Sequence, residues 1–265
     1  MDTSQAKCRF WVLSKLKGIK RSFVDLPKYK KQLRIYYNIH KGDSCIVTGC
    51  GPSLSSIPAI VFKKFKILGV NASHKKVTPD YMTIIDTQFS WIRDARIFAY
   101  KSKTPLFVSW NWDNGEERKT KLHNEIIMPT NNFPVDYSVK NQAYREHMLC
   151  LFNDPIQLEA GVTSILSVVP EAAIPLALYM GFEKIYLAGV DFSTTITSGR
   201  HFYKDTGDDE RRIADEHDRL GNNHFSDKLF IFNLLAQSQN AYKIFNLNFN
   251  SAVCQFPFVE WKSLI

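Results

Sequence analysis

The feature that most constrains this chain is a series of short apolar runs, each about five residues long and each ending on a small or polar residue. The first, Ser44 to Thr48, runs straight into Gly49-Cys50-Gly51-Pro52-Ser53-Leu54. A strand, a tight glycine turn and a residue able to cap a helix form the opening unit of a nucleotide-binding α/β sheet. Lys66 to Val70 predicts a second strand ending at Asn71, Tyr81 to Ile85 a third ending at Asp86, and Pro105 to Ser109 a fourth. Asn124 to Met128 fits a further strand. Lys184 to Ala188 is the clearest and leads into Gly189-Val190-Asp191-Phe192, and Lys243 to Leu247 predicts the last. Doubly wound sheets place their ligand chemistry at such strand ends.

The segments between these runs predict helices. Tyr144 to Phe152 has a compatible pattern, and Thr163 or Ser164 can cap a buried helix reaching Met180, which Pro170 and Pro175 should bend or cut in two. Residues 193–225 break the rhythm, being polar and rich in Gly, Asp, Arg and His. An insert of this length without apolar periodicity predicts a lid over one edge of the sheet. A helical run from Ser226 then returns the chain to the sheet. The expected fold class is α/β, a single Rossmann-like nucleotide-binding domain over residues 44–265 with a lid insert at 193–225, preceded by a basic segment at 1–43.

At 265 residues and 45% hydrophobic, the chain can bury one substantial core. Its net charge of +8 is unevenly placed: residues 1–41 hold eleven basic residues against Asp2 and Asp25, so the rest is close to neutral. A nucleic-acid-binding groove in the body is therefore disfavoured. Phe10, Leu13, Leu16, Ile19 and Phe23 recur at roughly helical spacing, with Trp11 beside them and lysines on the remaining surface. Residues 1–24 either lie on an anionic membrane surface or pack on the body, and amphipathicity alone does not separate the two. Five cysteines without a CxxC pair, and the lack of an apolar leader, predict a cytoplasmic protein without structural zinc or a signal peptide. Val162 to Met180, the most apolar long segment, reads as a buried helix.

Gly49-Cys50-Gly51-Pro52-Ser53 lacks both the GxGxxG spacing of dinucleotide enzymes and the GK[ST] of a P-loop. Glycines still let a backbone approach an anion, and Ser53 offers a hydroxyl and backbone N–H groups. Asn71 and Asp86 could cap the following helices or meet a base edge and ribose hydroxyls. Asp191 is expected mainly to hold backbone N–H groups of the insert. His201, His217 and His224 lie in the insert, where an accessible imidazole can act as a base near neutrality. No HExxH or DxD spacing supports a metal, His201 with Asp205 being the one pairing that could hold an ion.

Taken together, the strand into Gly49-Cys50-Gly51-Pro52-Ser53-Leu54, Val70-Asn71, Thr163-Ser164, and the run from Gly181 to Phe192 followed by an insert with a late His resemble the bacterial sialyltransferases of glycosyltransferase family 42. The GPSL element is shared more widely with Rossmann-like proteins that include hydroxymethylpterin pyrophosphokinase-like enzymes and flagellin-glycosylation factors. The resemblance implies a GT-A-like domain that takes sialic acid or a related nonulosonic acid from a CMP-activated sugar to a glycan or glycolipid hydroxyl, with inversion and without an essential metal. It places Gly49, Cys50 and Gly51 at the nucleotide phosphate, and Ser53, Asn71, Asp86, Thr163 and Ser164 around the donor. His224 falls on the general base. Ser193 stands where one phosphate-facing Tyr is found, Tyr203 approximates the second with His201 beside it, and Gly161 replaces an Arg.

These implications extend to a membrane-associated role in lipopolysaccharide or capsule biosynthesis at the inner face of the cell membrane. A homo-oligomer is compatible with the sequence. The rival enzyme is a pyrophosphokinase-like phosphotransferase using the same crevice for ATP and Mg²⁺, with Asp205, Asp208 and Asp209 available as carboxylates. The rival from another class is a non-catalytic nucleotide-binding or scaffold protein.

Overall fold

The computed structural model describes residues 26–84, 90–109, 124–128, 142–162, 167–192, 201–204 and 224–265. Their elements follow in the order α1 (Leu26–Arg34), β1 (Ser44–Thr48), α2 (Ala59–Phe62), β2 (Lys66–Val70), β3 (Tyr81–Ile84), α3 (Ser90–Ser102), β4 (Leu106–Ser109), β5 (Glu125–Met128), α4 (Gln142–Asn153), α5 (Ile174–Tyr179), β6 (Lys184–Ala188), α6 (His224–Ala236) and β7 (Ile244–Asn246). Short 3-10 turns cover Pro52–Ser56 and Asn71–Lys75.

All seven strands join one parallel sheet in the order β5-β4-β3-β2-β1-β6-β7. The chain lays strands outward from β1 to β5, then returns to the other side of β1 for β6 and β7. Strand order therefore reverses between β1 and β6, where open α/β sheets leave a crevice beyond the strand ends. The α/β expectation is met, with an inserted region between β6 and α6.

Parallel strands are buried on both faces, which is why these runs are continuously apolar. In β1, Cys45 and Val47 face a large core with Leu68, Val70, Phe107, Ile185 and Leu187, closed by α1, α4, α5 and α6. Ile46 faces the opposite side with Leu54, Ile57, Val61, Ile67 and Ala188. A third cluster of Met82, Ile84, Ala95, Ala99, Leu106 and Val108 packs α3 on the β3–β4 edge.

Helix α1 belongs to this body, which thus extends N-terminally of Ser44. Tyr29 and Leu33 are buried, and the Tyr29 hydroxyl donates to the Leu158 carbonyl at 2.9 Å. Arg34 Nε and Nη2 donate to the Glu159 carboxylate at 2.9–3.1 Å, and the Tyr179 hydroxyl donates to Glu159 Oε1 at 3.1 Å. Arg34 first, and then the Tyr179 hydroxyl bond, hold the Glu159 carboxyl below the usual carboxylate range against the opposing effect of burial.

The proline-containing apolar segment forms a π-turn at Val169–Ala173 followed by α5, and it is buried throughout. Pro170 and Pro175 lack the N–H that a regular ladder needs. The Glu171 carboxylate accepts the Ser167 N–H at 2.6 Å and the Tyr144 hydroxyl at 3.0 Å, which holds the start of the π-turn. Membrane association is corrected: among the described residues no helix is long and apolar enough to cross a membrane. Residues 1–24, on which the basic amphipathic reading rests, lie outside the described residues.

Candidate functional site

The loop after β1 meets the loop after β6 at the switch point. The Gly49 N–H extends the β1–β6 ladder to the Ala188 carbonyl at 2.8 Å, the Gly51 N–H donates to the Gly189 carbonyl at 2.7 Å, and the Leu54 N–H donates to the Gly51 carbonyl at 3.1 Å. A side chain at Gly49 would strike the Gly189 carbonyl. One at Gly51 would lie 2.7 Å from Asp191 Cγ and 2.8 Å from the Gly189 oxygen. Glycine stands at both positions because two strand-end loops pass in contact.

Asp191 sits at the centre of this contact, 6% exposed. Its Oδ2 accepts the Ser53 N–H at 2.8 Å, and its Oδ1 accepts both the Ser53 hydroxyl and the Asn248 side-chain amide, the latter at 2.7 Å. The expected partner of Asp191 was the insert's backbone. The carboxylate instead joins the β1 loop to the loop after β7, and both Ser53 donors are directed to it.

At the end of β2, Asn71 has a left-handed backbone with φ 51°. Among the described residues its buried Oδ1 has no hydrogen-bond partner. An unmet buried acceptor costs about 1–3 kcal/mol, and a positive φ adds to that, a combination found at ligand-binding positions. His74 Nδ1 lies 3.3 Å from the Asn71 carbonyl oxygen, and burial pushes the His74 imidazole below its ordinary value.

Residues 201–204 lie across this region. The Phe202 N–H donates to the Cys50 carbonyl at 3.0 Å, and Cys50 Sγ is 3.6 Å from the Val70 carbonyl. Phe202 packs on the cluster that contains Leu54 and Val61, whereas Tyr203 and Cys50 pack on the cluster with Ala72 and Met82. His201 and Tyr203 stack with centroids 4.8 Å apart and planes 3° from parallel. Lys75 Nζ stands 4.5 Å from the centroid of the Tyr203 ring.

The fold thus brings together Gly49, Cys50, Gly51, Ser53, Asn71, His201 and Tyr203. Asp86, Thr163, Ser164, Ser193 and His217 lie outside the described residues. His224 is the first residue of α6, which begins within the last two residues of the expected insert. Asn248 and Lys75 were missed by sequence reasoning. Applying the strand-end rule to β7 would have found Asn248, whereas nothing local distinguishes Lys75 from other lysines. Among the described residues no group of three or more His, Cys, Asp or Glu could hold a metal ion. Both Asp191 oxygens already accept protein donors. Asp205, Asp208 and Asp209 are not among the described residues.

A parallel sheet reversing at β1/β6, with glycine-mediated loop contact at its carboxyl ends, defines a Rossmann-like α/β domain. The chain belongs to the 6-hydroxymethylpterin diphosphokinase MptE-like family, whose model matches residues 20–197. Among solved structures, the fold is similar to the MAf glycosyltransferase of Magnetospirillum magneticum, with a TM-score of 0.50 and 13% identity over 91% of this chain and 39% of that one. The chain therefore spans well under half of that protein's length. A sialyltransferase of Campylobacter jejuni, solved with cytidine monophosphate, gives a TM-score of 0.47 and 13% identity over 83% of this chain and 85% of that one. No curated protein matches the sequence.

Proposed function

We propose that this protein is a nucleotide-dependent transferase that moves a diphosphoryl group from a nucleoside triphosphate to a hydroxymethyl group on a pterin-like heterocycle. The family match carries the reading: residues 20–197 include strands β1 to β6, both loops of the switch point, and Asn71. In this reaction the acceptor oxygen attacks the β-phosphorus and the bond from that phosphorus to the α,β-bridging oxygen breaks. AMP leaves, and the hydroxyl proton passes to a base. Asn71 Oδ1 is suited to accept a hydrogen bond from the exocyclic amine of the nucleotide base. Positioning and charge neutralisation supply most of the catalysis in such transfers. In the second reading below, His224 takes the proton of the acceptor hydroxyl.

A second reading, transfer of sialic acid or a related nonulosonic acid from a CMP-activated sugar to a glycan or glycolipid hydroxyl, has one observation of its own. The likeness to the MAf glycosyltransferase covers 91% of the chain, more than residues 20–197. The test is titration of the purified protein with ATP and with CMP, each with and without Mg²⁺, followed by product analysis. Pterin-dependent release of AMP is the expected result. Release of CMP from a CMP-sugar in the presence of a glycan would assign the second reading. Binding of neither nucleotide would overturn both and leave a scaffold protein.

A further inference from the structure

We propose that Lys75 is the cation that takes the phosphate chain of the nucleotide, and that Tyr203 is the platform that positions it; this deepens the nucleotide reading above and rests on it. Four N–H groups of the β1 loop are turned away from a phosphate. The N–H groups of Gly49, Gly51, Ser53 and Leu54 are all directed to protein acceptors, and the acceptor at Ser53 is the anionic Asp191. A positively charged side chain on a neighbouring element would supply what these four donors do not.

Lys75 ends the 3-10 turn that Asn71 begins. Its ammonium lies over the Tyr203 ring, which is itself stacked on His201, while the Phe202 N–H ties this strip to Cys50 in the β1 loop. The cation is thus tied through the 201–204 strip to the β1 loop, and it stands on the turn that Asn71 begins. A ring attracts an ammonium without neutralising it, and Lys75 forms no ion pair among the described residues. Among the described residues its N–H donors likewise meet no protein acceptor, which leaves its charge for a ligand there. Lys76 is directed elsewhere, with Nζ 3.3 Å from the Ser55 carbonyl.

The ligand chemistry is a phosphate ester, carried by ATP in the leading reading and by CMP in the second. The experiment measures binding of ATP, adenosine, CMP and cytidine to the full chain and to Lys75→Met, Lys75→Arg and Tyr203→Leu, with thermal unfolding to establish that each variant folds. Lys75→Met is expected to weaken the nucleotide that binds by about tenfold, the worth of one charge-assisted contact, and to flatten its salt dependence. The matching nucleoside should bind within about twofold of wild type, since it has no phosphate for the lysine to meet. Lys75→Arg should retain most of the affinity, and Tyr203→Leu should lose part of it. Unchanged nucleotide affinity in a folded Lys75→Met protein would overturn the lysine assignment alone, as would an equal loss for nucleoside and nucleotide. If wild type bound neither ATP nor CMP, the nucleotide reading and this one would fall together.

Discussion

Asn71 and Asp191 show how differently two polar strand-end residues can be employed. Asn71 combines a positive φ with a buried oxygen that has no partner among the described residues, whereas Asp191 has both oxygens met by protein donors. Replacing Asn71 by Ala should weaken nucleotide binding by roughly 1–3 kcal/mol, the range for a lost partner of a buried polar group. Asn71→Gly should lose the same affinity but unfold at a higher temperature than Asn71→Ala, because glycine tolerates φ 51°. Equal melting temperatures would exclude backbone strain at this position. Asp191→Asn should lower stability by about 2–4 kcal/mol, since its amide faces donors that require an acceptor; urea denaturation reads this directly. His224→Ala should leave nucleotide affinity intact and lower turnover by about 10²–10⁴-fold, the usual value of positioned proton transfer. Retention of the acidic limb of the kcat/KM profile in His224→Ala, with its loss in His201→Ala, would transfer the role to His201.

At the level of elements, α1 is the least predictable part of the body. Its sequence, LPKYKKQLR, is basic and only sparsely apolar. It is read as body only once Tyr29 and Leu33 are seen to enter the core and Arg34 to reach Glu159, 125 residues away. The pairing has a defined pH dependence. The Glu159 carboxyl is held below its ordinary value, so its contribution is fully present above the ordinary carboxylate range and is lost as pH falls through the lowered value. The melting temperature of wild type should therefore drop across that acidic interval. Arg34→Met should melt lower at neutral pH and converge on wild type in acid, and parallel curves would show that Arg34 does not act through Glu159. By contrast, strands β1, β2 and β6 were legible to the residue, because burial on both faces leaves an uninterrupted apolar run between polar ends. The π-turn at Val169–Ala173 was legible only as a disturbance, from Pro170 and Pro175.

For the molecule as a whole, a nucleotide bound across β1, β2 and the 201–204 strip should stabilise the sheet by mass action. At a hundredfold excess over Kd this amounts to about 2.7 kcal/mol, a rise of several degrees in melting temperature for a domain of this size. A shift with ATP or CMP in wild type and a smaller one in Asn71→Ala is the expected pattern, measured by differential scanning fluorimetry. The sequence alone determined the α/β class, the strand positions, the glycine turn after β1 and the chemistry gathered at strand ends, because these follow from short-range periodicity and the backbone preferences of a few neighbouring residues. It did not determine strand order, and so could not say that the turn after β1 would close on the turn after β6. Ser53 and Asp191 are 138 residues apart, and Lys75 and Tyr203 have no sequence relation. Which strand ends become neighbours is decided by how the helices cover both faces of the sheet, and that packing alone turned Ser53 toward Asp191 and set Lys75 above Tyr203.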